Sequence, residues 1–234
     1  MPDDIEVPPS FLELDRPLGR LARDYLDALL GGERARASEL ILASVEDGVP
    51  VRDIYIDVFQ RTQWEVGRLW ELNRITVAEE HYCTAATQLV MSRLYPHVFA
   101  GERGRGTLVA AAVSGDLHEL GIRMVADFFE MDGWDTFFLG ANTPTPGIVE
   151  LVERREADVL ALSATLSAHV PDVAEVIEAM RTAGGERSPI ILVGGHPFNA
   201  EPELWRELGA DGHAPGADGA VSLAEELTAG RKAR

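Results

Sequence analysis

His118 lies among residues that are able to hold a metal ion. Asp116, two residues earlier, can accept a hydrogen bond from one N–H of the imidazole ring. That bond fixes the tautomer and raises the basicity of the other ring nitrogen. Gly121 has no Cβ, so a bulky group can approach the start of the following helix. The pattern predicts that His118 ligates a metal and that Asp116 orients it.

Two later segments can complete such a site. Ser163 and Thr165 offer hydroxyl groups, and Gly194-Gly195 removes side chains where a flat ring could lie. Each signal is weak alone, because Asp-x-His is more often a surface loop and Gly-Gly is usually a turn. The spacing of the three segments strengthens the prediction of a combined site. Positions 122–162 separate Gly121 from Ser163, and positions 166–193 separate Thr165 from Gly194.

All three segments follow apolar runs that alternate with helical patterns, which indicates a doubly wound parallel sheet. In such sheets, ligands bind beyond the carboxyl ends of the strands. The predicted strands are 107–113, 134–139, 159–163, 190–193 and a weaker one at 211–214, and the predicted helices are 119–131, 146–156, 170–183, 202–208 and 217–229.

The part of the chain before residue 100 has a different pattern. Apolar residues recur at helical spacing, which predicts helices over 12–30, 34–46, 51–70 and 76–95 and hence a four-helix bundle. We therefore expect an α/β protein in which the bundle precedes a Rossmann-like (flavodoxin-like) five-stranded sheet. The expected segments are a disordered N-terminus (1–10), the bundle as a cap (11–100), a glycine-rich linker (101–106) and the Rossmann-like domain (107–234).

The three strand-end segments resemble the cobalamin-binding domain. That family is marked by Asp-x-His-x-x-Gly, Ser-x-Leu and Gly-Gly in this order, separated by spacers of the lengths found here, with Thr165 in place of the leucine. The resemblance implies cobalamin bound with His118 as the lower cobalt ligand. It also implies that the dimethylbenzimidazole tail threads beside Ser163 and Gly194-Gly195.

A second motif lies in the bundle. Trp70 is followed by nine residues and then by Glu80-His81. This spacing resembles the signature of the CarH-type, coenzyme-B12-dependent photoreceptors. The resemblance implies that Trp70 lies on the upper axial side and that Val77, Glu80 and His81 line a pocket for the 5′-deoxyadenosyl group. Without the cobalamin motif, core packing would be the better interpretation of Trp70.

The chain departs from the photoreceptor pattern in two ways. No helix-turn-helix domain precedes the bundle, so a light signal would need a partner such as a transcriptional regulator. Glu71 stands where those photoreceptors have a histidine that binds cobalt after illumination. Water, hydroxide or His81 would have to take that position instead.

The leading hypothesis is a non-enzymatic light sensor that binds adenosylcobalamin, with methylcobalamin or hydroxocobalamin as other forms of the cofactor. The alternative is a corrinoid protein that carries a methyl group for a cobalamin-dependent methyltransferase system. A light-independent cobalamin sensor and a mutase small subunit are further readings, and the bundle counts against the mutase subunit. Assembly into a homo-oligomer stays open.

The net charge of −18 argues against direct binding of nucleic acid, which favours a basic face. No run reaches the ~18 apolar residues of a membrane span. The acidic N-terminus and the single Cys83 indicate a cytoplasmic protein in which Cys83 belongs to the core. Structural or solvent-facing roles are expected for the four other histidines, namely His97, His169, His196 and His213.

Overall fold

The structure is a computed structural model that describes residues 10–98, 103–185 and 188–232. The chain forms two compact units, the first ending at His97 and the second beginning at Val98. Most of the predicted disordered segment 1–10 and part of the predicted linker 101–106 lie outside the described residues.

The first unit is helical, as predicted. The first predicted helix begins at Gly19 rather than near residue 12, because Leu18 has a left-handed φ of 56° and a Cβ on Gly19 would lie 2.2 Å from the Glu13 carbonyl oxygen. The elements are α1 (Gly19–Leu30), α2 (Arg34–Glu46), α3 (Val51–Asp53), a π-helical segment (Ile54–Gln60), α4 (Arg61–Glu71), α5 (Val77–Arg93) and α6 (Tyr95–Val98).

The core of this unit forms around α1. Ala22, Tyr25, Leu26 and Leu29 recur at helical spacing and are all buried, which is the pattern of an amphipathic helix. The buried Tyr25 hydroxyl forms a hydrogen bond of 3.0 Å with the Thr87 hydroxyl of α5. The Thr62 hydroxyl of α4 also donates to the Ala22 carbonyl at 3.5 Å, so the helix joins its neighbours through apolar packing and buried polar contacts.

A seven-residue π-helical segment interrupts the third predicted helix, which otherwise continues from Val51 to Glu71. The segment buries Ile54, Tyr55, Val58 and Phe59. Most π-helices are single turns inserted in an α-helix, and apolar spacing alone does not reveal them. The sequence pattern therefore predicted a helix here but not its π-helical geometry.

The turn between α4 and α5 ends in a capping box. The Thr76 hydroxyl accepts a hydrogen bond from the Glu79 backbone N–H at 3.2 Å, and the Glu79 carboxylate accepts one from the Thr76 N–H at 2.7 Å. Two backbone groups at the helix end are thus satisfied. This cap sets where α5 begins and hence where its first side chains are placed.

The second unit is a five-stranded parallel sheet of order β2-β1-β3-β4-β5, which confirms the predicted fold class. The fifth strand is shorter than predicted, and the helix α10 was not predicted. The strands are β1 (Thr107–Ala112), β2 (Asp135–Phe138), β3 (Val159–Ser163), β4 (Ile190–Gly194) and β5 (Gly212–His213). The helices are α7 (Leu120–Met131), α8 (Thr145–Arg155), α9 (Val170–Gly184), α10 (His196–Ala200), α11 (Leu204–Glu207) and α12 (Ala217–Lys232).

The central strands explain the continuous apolar runs. All five residues of β3 are buried, and so are five of the six in β1, because helices cover both faces of the sheet. The strand order reverses between β1 and β3, which is where ligands bind in sheets of this kind. No helix within the three described ranges is long and apolar enough to span a bilayer.

Cys83 lies in the core of the first unit. It is fully buried, and burial raises the pKa of its thiol to about 11. The thiol therefore stays protonated and unreactive near neutral pH, which agrees with the predicted core role.

Candidate functional site

The register of the sheet brings the three predicted segments to one edge. Ser163 pairs with Ala112 on one side and with Gly194 on the other. The Val113 N–H donates to the Ser163 carbonyl at 3.2 Å, and the Ala164 N–H donates to the Gly194 carbonyl at 3.1 Å. Segments that lie far apart in the chain are therefore neighbours at the carboxyl ends of β1, β3 and β4.

Asp116 connects two of these strand ends. One carboxylate oxygen accepts hydrogen bonds from His118 Nδ1 at 2.8 Å and from the His118 backbone N–H at 3.0 Å. The other oxygen accepts the Thr165 backbone N–H at 2.6 Å. Asp116 is fully buried, whereas the His118 side chain is 57% exposed. The predicted pairing of Asp116 with His118 is thus present in the fold.

The charge of Asp116 follows from these contacts. Burial alone would raise the pKa of this carboxyl group, but the hydrogen bonds from His118 and Thr165 outweigh it and hold the pKa below its usual range. Asp116 is therefore a carboxylate at neutral pH. It holds the proton of His118 on Nδ1, so Nε2 is the ring nitrogen with a lone pair for a metal.

A neighbouring loop steadies the segment that bears Asp116 and His118, and the sequence did not reveal this. Asn142 Oδ1 accepts the Gly115 N–H at 2.8 Å, and the Asn142 N–H donates to the Asp116 carbonyl at 2.8 Å. Glu119 accepts the Ala141 N–H at 3.0 Å. The position of Asn142 shortly after the second strand was the signal that could have indicated this contact.

The three glycines of the motif differ in whether the packing of the chain requires a glycine at their positions. Gly195 has φ 109°, and a Cβ there would lie 2.0 Å from the Ala164 carbonyl oxygen, so the chain itself requires glycine. A Cβ on Gly194 would make an ordinary 3.6 Å contact with the Ala214 carbonyl oxygen. A Cβ on Gly121 would meet nothing within 4 Å. Packing within the described chain gives no reason for a glycine at position 121.

The four residues predicted from the photoreceptor resemblance lie in the first unit. Trp70 precedes the last residue of α4 and is 47% exposed, and Val77 begins α5 and is 52% exposed. Glu80 pairs with His81 and also accepts a hydrogen bond from the Thr84 hydroxyl at 3.0 Å. Trp70 thus lies on one side of the turn between α4 and α5, and Val77, Glu80 and His81 lie on the other.

The other histidines have different environments. His97 and His196 are exposed, and His213 Nε2 forms a 2.9 Å hydrogen bond with Asn199 Oδ1, while burial lowers the pKa of His213. His169 is mostly buried next to the predicted site. Its Nδ1 lies 3.7 Å from the Asp116 carboxylate.

The two units match known domain families. One model of the B12 binding domain matches residues 106–222, and a second B12 binding domain model matches residues 21–95. The chain belongs to the B12-binding domain family. It is therefore a cobalamin-binding protein, and the two matched regions lie in the second and first structural units, respectively.

Relatives of this B12-binding protein include named corrinoid proteins. A corrinoid protein of Desulfitobacterium hafniense is 25% identical over 88% of this chain and 97% of its own length. Dimethylamine corrinoid protein 1 of Methanosarcina acetivorans is 29% identical over 70% of this chain and 78% of its own length. The solved monomethylamine corrinoid protein of Methanosarcina barkeri shares the fold, with a TM-score of 0.80 at 22% identity over 90% of this chain and 100% of its own.

The strand-end site of this B12-binding protein fits a corrin with a histidine ligand. The exposed His118 has its Nδ1 held by a buried carboxylate, which orients the ring. The space above Gly121 is open to at least 4 Å. The oriented ring suits a metal ligand, and the open approach at Gly121 is compatible with a bulky group there.

Replacing Gly121 with alanine separates stability from cofactor binding. Because Gly121 is only the second residue of α7 and is exposed, the added methyl group should change the free energy of unfolding of the apoprotein by less than about 0.5 kcal/mol. The new methyl group would occupy space expected for the corrin, so we expect cobalamin affinity to fall at least about tenfold. Denaturant titration and equilibrium binding measure the two effects. Gly147→Ala in α8, also without a neighbour within 4 Å, should be neutral or slightly stabilising and should leave affinity unchanged. Unchanged affinity in Gly121→Ala would contradict the assigned corrin position.

Proposed function

We propose that this protein is a corrinoid protein that carries a methyl group on cobalamin between partners of a methyltransferase system. The observation that carries the proposal is the match to named corrinoid proteins along nearly the whole chain, including 97% of the Desulfitobacterium hafniense relative. Dimethylamine corrinoid proteins of Methanosarcina species match as well. On this proposal the protein performs no catalysis alone and serves as a subunit that presents its cofactor to methyltransferases.

When bound, cobalamin supplies a cobalt centre that can accept and give up a methyl group. The chain's own residues hold and orient it. In our proposal, His118 Nε2 is the lower cobalt ligand, and buried Asp116 holds its Nδ1 proton. The nucleotide tail would lie beside the strand ends, lined by Ser163, Thr165, Gly194 and Gly195.

The light-sensor hypothesis rests on the Trp70-x9-Glu80-His81 spacing alone. No named relative among those described above is a photoreceptor, and their names favour methyl transfer. Accordingly, methylcobalamin is the proposed working cofactor, and a methyltransferase rather than a transcriptional regulator is the proposed partner. Trp70, Val77, Glu80 and His81 stay proposed contacts for the upper side of the cofactor, whichever group it carries.

Reconstitution in the dark tests the proposal. The full chain is mixed with methylcobalamin and with adenosylcobalamin, and affinity and absorption spectra are recorded. We expect spectra of histidine-ligated cobalamin for the wild type and methylcobalamin bound at least as tightly as adenosylcobalamin. His118→Ala should lose the histidine-ligated spectrum, because no imidazole then stands at the position held by Asp116.

Two outcomes would contradict this function. A histidine-ligated spectrum that persists in His118→Ala would refute the ligand assignment. Clear preference for adenosylcobalamin, abolished by Trp70→Ala but not by Trp64→Ala, would favour the light sensor. Trp64 is a matched control because it lies on the same helix and is exposed to the same extent, 46% against 47%.

A further inference from the structure

Glu80 and His81 form a second carboxylate–histidine pair, which lies in the first unit. His81 Nδ1 is hydrogen-bonded to Glu80 Oε2, just as His118 Nδ1 is hydrogen-bonded to Asp116. The His81 side chain is 75% exposed, whereas that of Glu80 is only 24% exposed. A carboxylate that keeps the proton of an imidazole on Nδ1 leaves Nε2 with a lone pair. The pair therefore has the features of a metal ligand and of the group that orients it.

A chain of polar side chains holds Glu80 from behind. The Thr84 hydroxyl, one turn further along α5, lies 3.0 Å from Glu80 Oε1 and 3.0 Å from Gln63 Oε1 of α4. The other end of this amide, Gln63 Nε2, lies 2.9 Å from the Thr87 hydroxyl. Thr87 in turn contacts the buried Tyr25 hydroxyl of α1 at 3.0 Å. The chain thus connects the core of the unit to the carboxylate of the exposed pair.

The single proton of the Thr84 hydroxyl decides the direction of these hydrogen bonds. It cannot be donated to Glu80 and to Gln63 at the same time. The two ends of an amide are nearly identical in shape, so the groups around it decide which end is the oxygen. With the Gln63 amide turned over, Nε2 donates to Thr84, and Thr84 donates to Glu80. Thr87 then donates to Gln63 and accepts from Tyr25, so every contact has one donor and one acceptor.

We propose that His81 is a metal ligand and that Gln63 and Thr84 position it. They hold the Glu80 carboxylate in place as the acceptor of the proton on His81 Nδ1, which leaves Nε2 free for the metal. This inference rests on the proposed function, in which the metal is the cobalt of bound cobalamin. His81 would occupy the upper side of the cobalt while no methyl group is present and would leave when one arrives. The hold on Glu80 then sets how tightly His81 binds.

Hydroxocobalamin, which carries no methyl group, tests the ligand. The full chain is loaded with it in the dark, and absorption spectra are recorded. We expect the spectrum of cobalt with two histidine ligands for the wild type and for His97→Ala, which removes another exposed histidine of the same unit. His81→Ala should lose one of the two ligands and should regain the wild-type spectrum when free imidazole is added. Equal spectra for the wild type and His81→Ala would overturn the inference.

A matched pair of variants at Thr84 tests the positioning. Thr84→Ser keeps the hydroxyl group, whereas Thr84→Val keeps the branched shape and removes it. Groups behind a metal-bound histidine affect metal affinity, so the concentration of free imidazole that displaces half of His81 should fall about threefold in Thr84→Val. Thr84→Ser should stay close to the wild type. Gln63→Glu, which can only accept, should compete with Glu80 for the Thr84 proton and give a similar fall. Equal values for Thr84→Ser and Thr84→Val would show that the hydroxyl does not position His81.

The apoprotein supplies a readout that is independent of the cofactor. Nitrogen-15 NMR of the wild type should show the proton of His81 on Nδ1, and this tautomer should lose population in Thr84→Val but not in Thr84→Ser. A proton on Nε2 in the wild type would overturn the inference while leaving the proposed function intact. A wild type without any histidine-ligated spectrum would instead contradict the proposed function, and this inference would fall with it.

Discussion

Replacing Gly195 with alanine should destabilise the second unit by about 3 kcal/mol or more. Gly195 has φ 109° and ψ 177°, a region that residues with a Cβ essentially never occupy. The added Cβ would also lie 2.0 Å from the Ala164 carbonyl oxygen, which belongs to the backbone and cannot rotate away. Strain and collision therefore act together, and such combinations produce the largest losses seen for single substitutions.

Urea or guanidinium titration of the apoprotein measures this loss. Gly147→Ala is the control, since it adds the same methyl group to a helix where nothing lies within 4 Å, and it should be neutral or slightly stabilising. Equal midpoints for the two variants would show that the tight approach of Gly195 to Ala164 is not needed for folding. Because Ala164 lies between Ser163 and Thr165, cobalamin affinity should fall together with stability.

Replacing Asp116 with asparagine should cost about 3 kcal/mol of stability and should also release His118. All three hydrogen bonds to the carboxylate come from N–H donors. An asparagine replaces one of the two oxygens with an NH2 group, which would point its own hydrogens at a donor and could not accept its hydrogen bond. Removing a buried, charged acceptor is among the more damaging polar changes. His118 would lose the bond that orients its ring, and the fraction of histidine-ligated cobalamin should fall.

The pH dependence of stability identifies the cause. The pKa of Asp116 is lower in the folded protein than in the unfolded chain, where an aspartate titrates near about 3.9. Its contribution is thus fully present above that pH and is lost as the pH falls towards the folded-state pKa. The difference in stability between wild type and Asp116→Asn should therefore shrink below about pH 4. Asp218→Asn, an exposed residue in the first turn of α12, should cost less than about 1 kcal/mol, and a comparable loss there would contradict the role of burial.

The sequence predicted the strands and the main site residues well because both depend on short-range patterns. Continuous apolar runs such as that of β3 have few alternatives to a buried parallel strand. Asp116 and His118 are only two residues apart, so their pairing could be anticipated before the fold was known. The helix α10 and the contacts of Asn142 could not, because they depend on how distant loops meet.

His169 shows the same limit more sharply. It is distant from Asp116 in the chain, with two helices and two strands between them, and only the pairing of β1 with β3 brings the two together. The functional hypothesis met a related difficulty at Trp70. A half-exposed tryptophan near a helix end can pack against many kinds of ligand or protein surface. Its spacing from Glu80 therefore does not distinguish a cofactor that carries an adenosyl group from one that carries a methyl group.

The π-helical segment has a consequence for how the first unit could have evolved. A π-helical turn holds about one residue more than an α-helical turn, so it is what a single-residue insertion produces when the ends of a helix are held in place. Each residue of an α-helix turns the chain by about 100°. Because the wider turn absorbs the extra residue, Trp64 and Trp70 are spared the rotation of about 100° that an added residue would impose on the helix beyond it. Deleting one of the half-buried residues Ile56, Asp57 or Gln60 should therefore return the segment to α-helical geometry and leave both tryptophans facing as they do now.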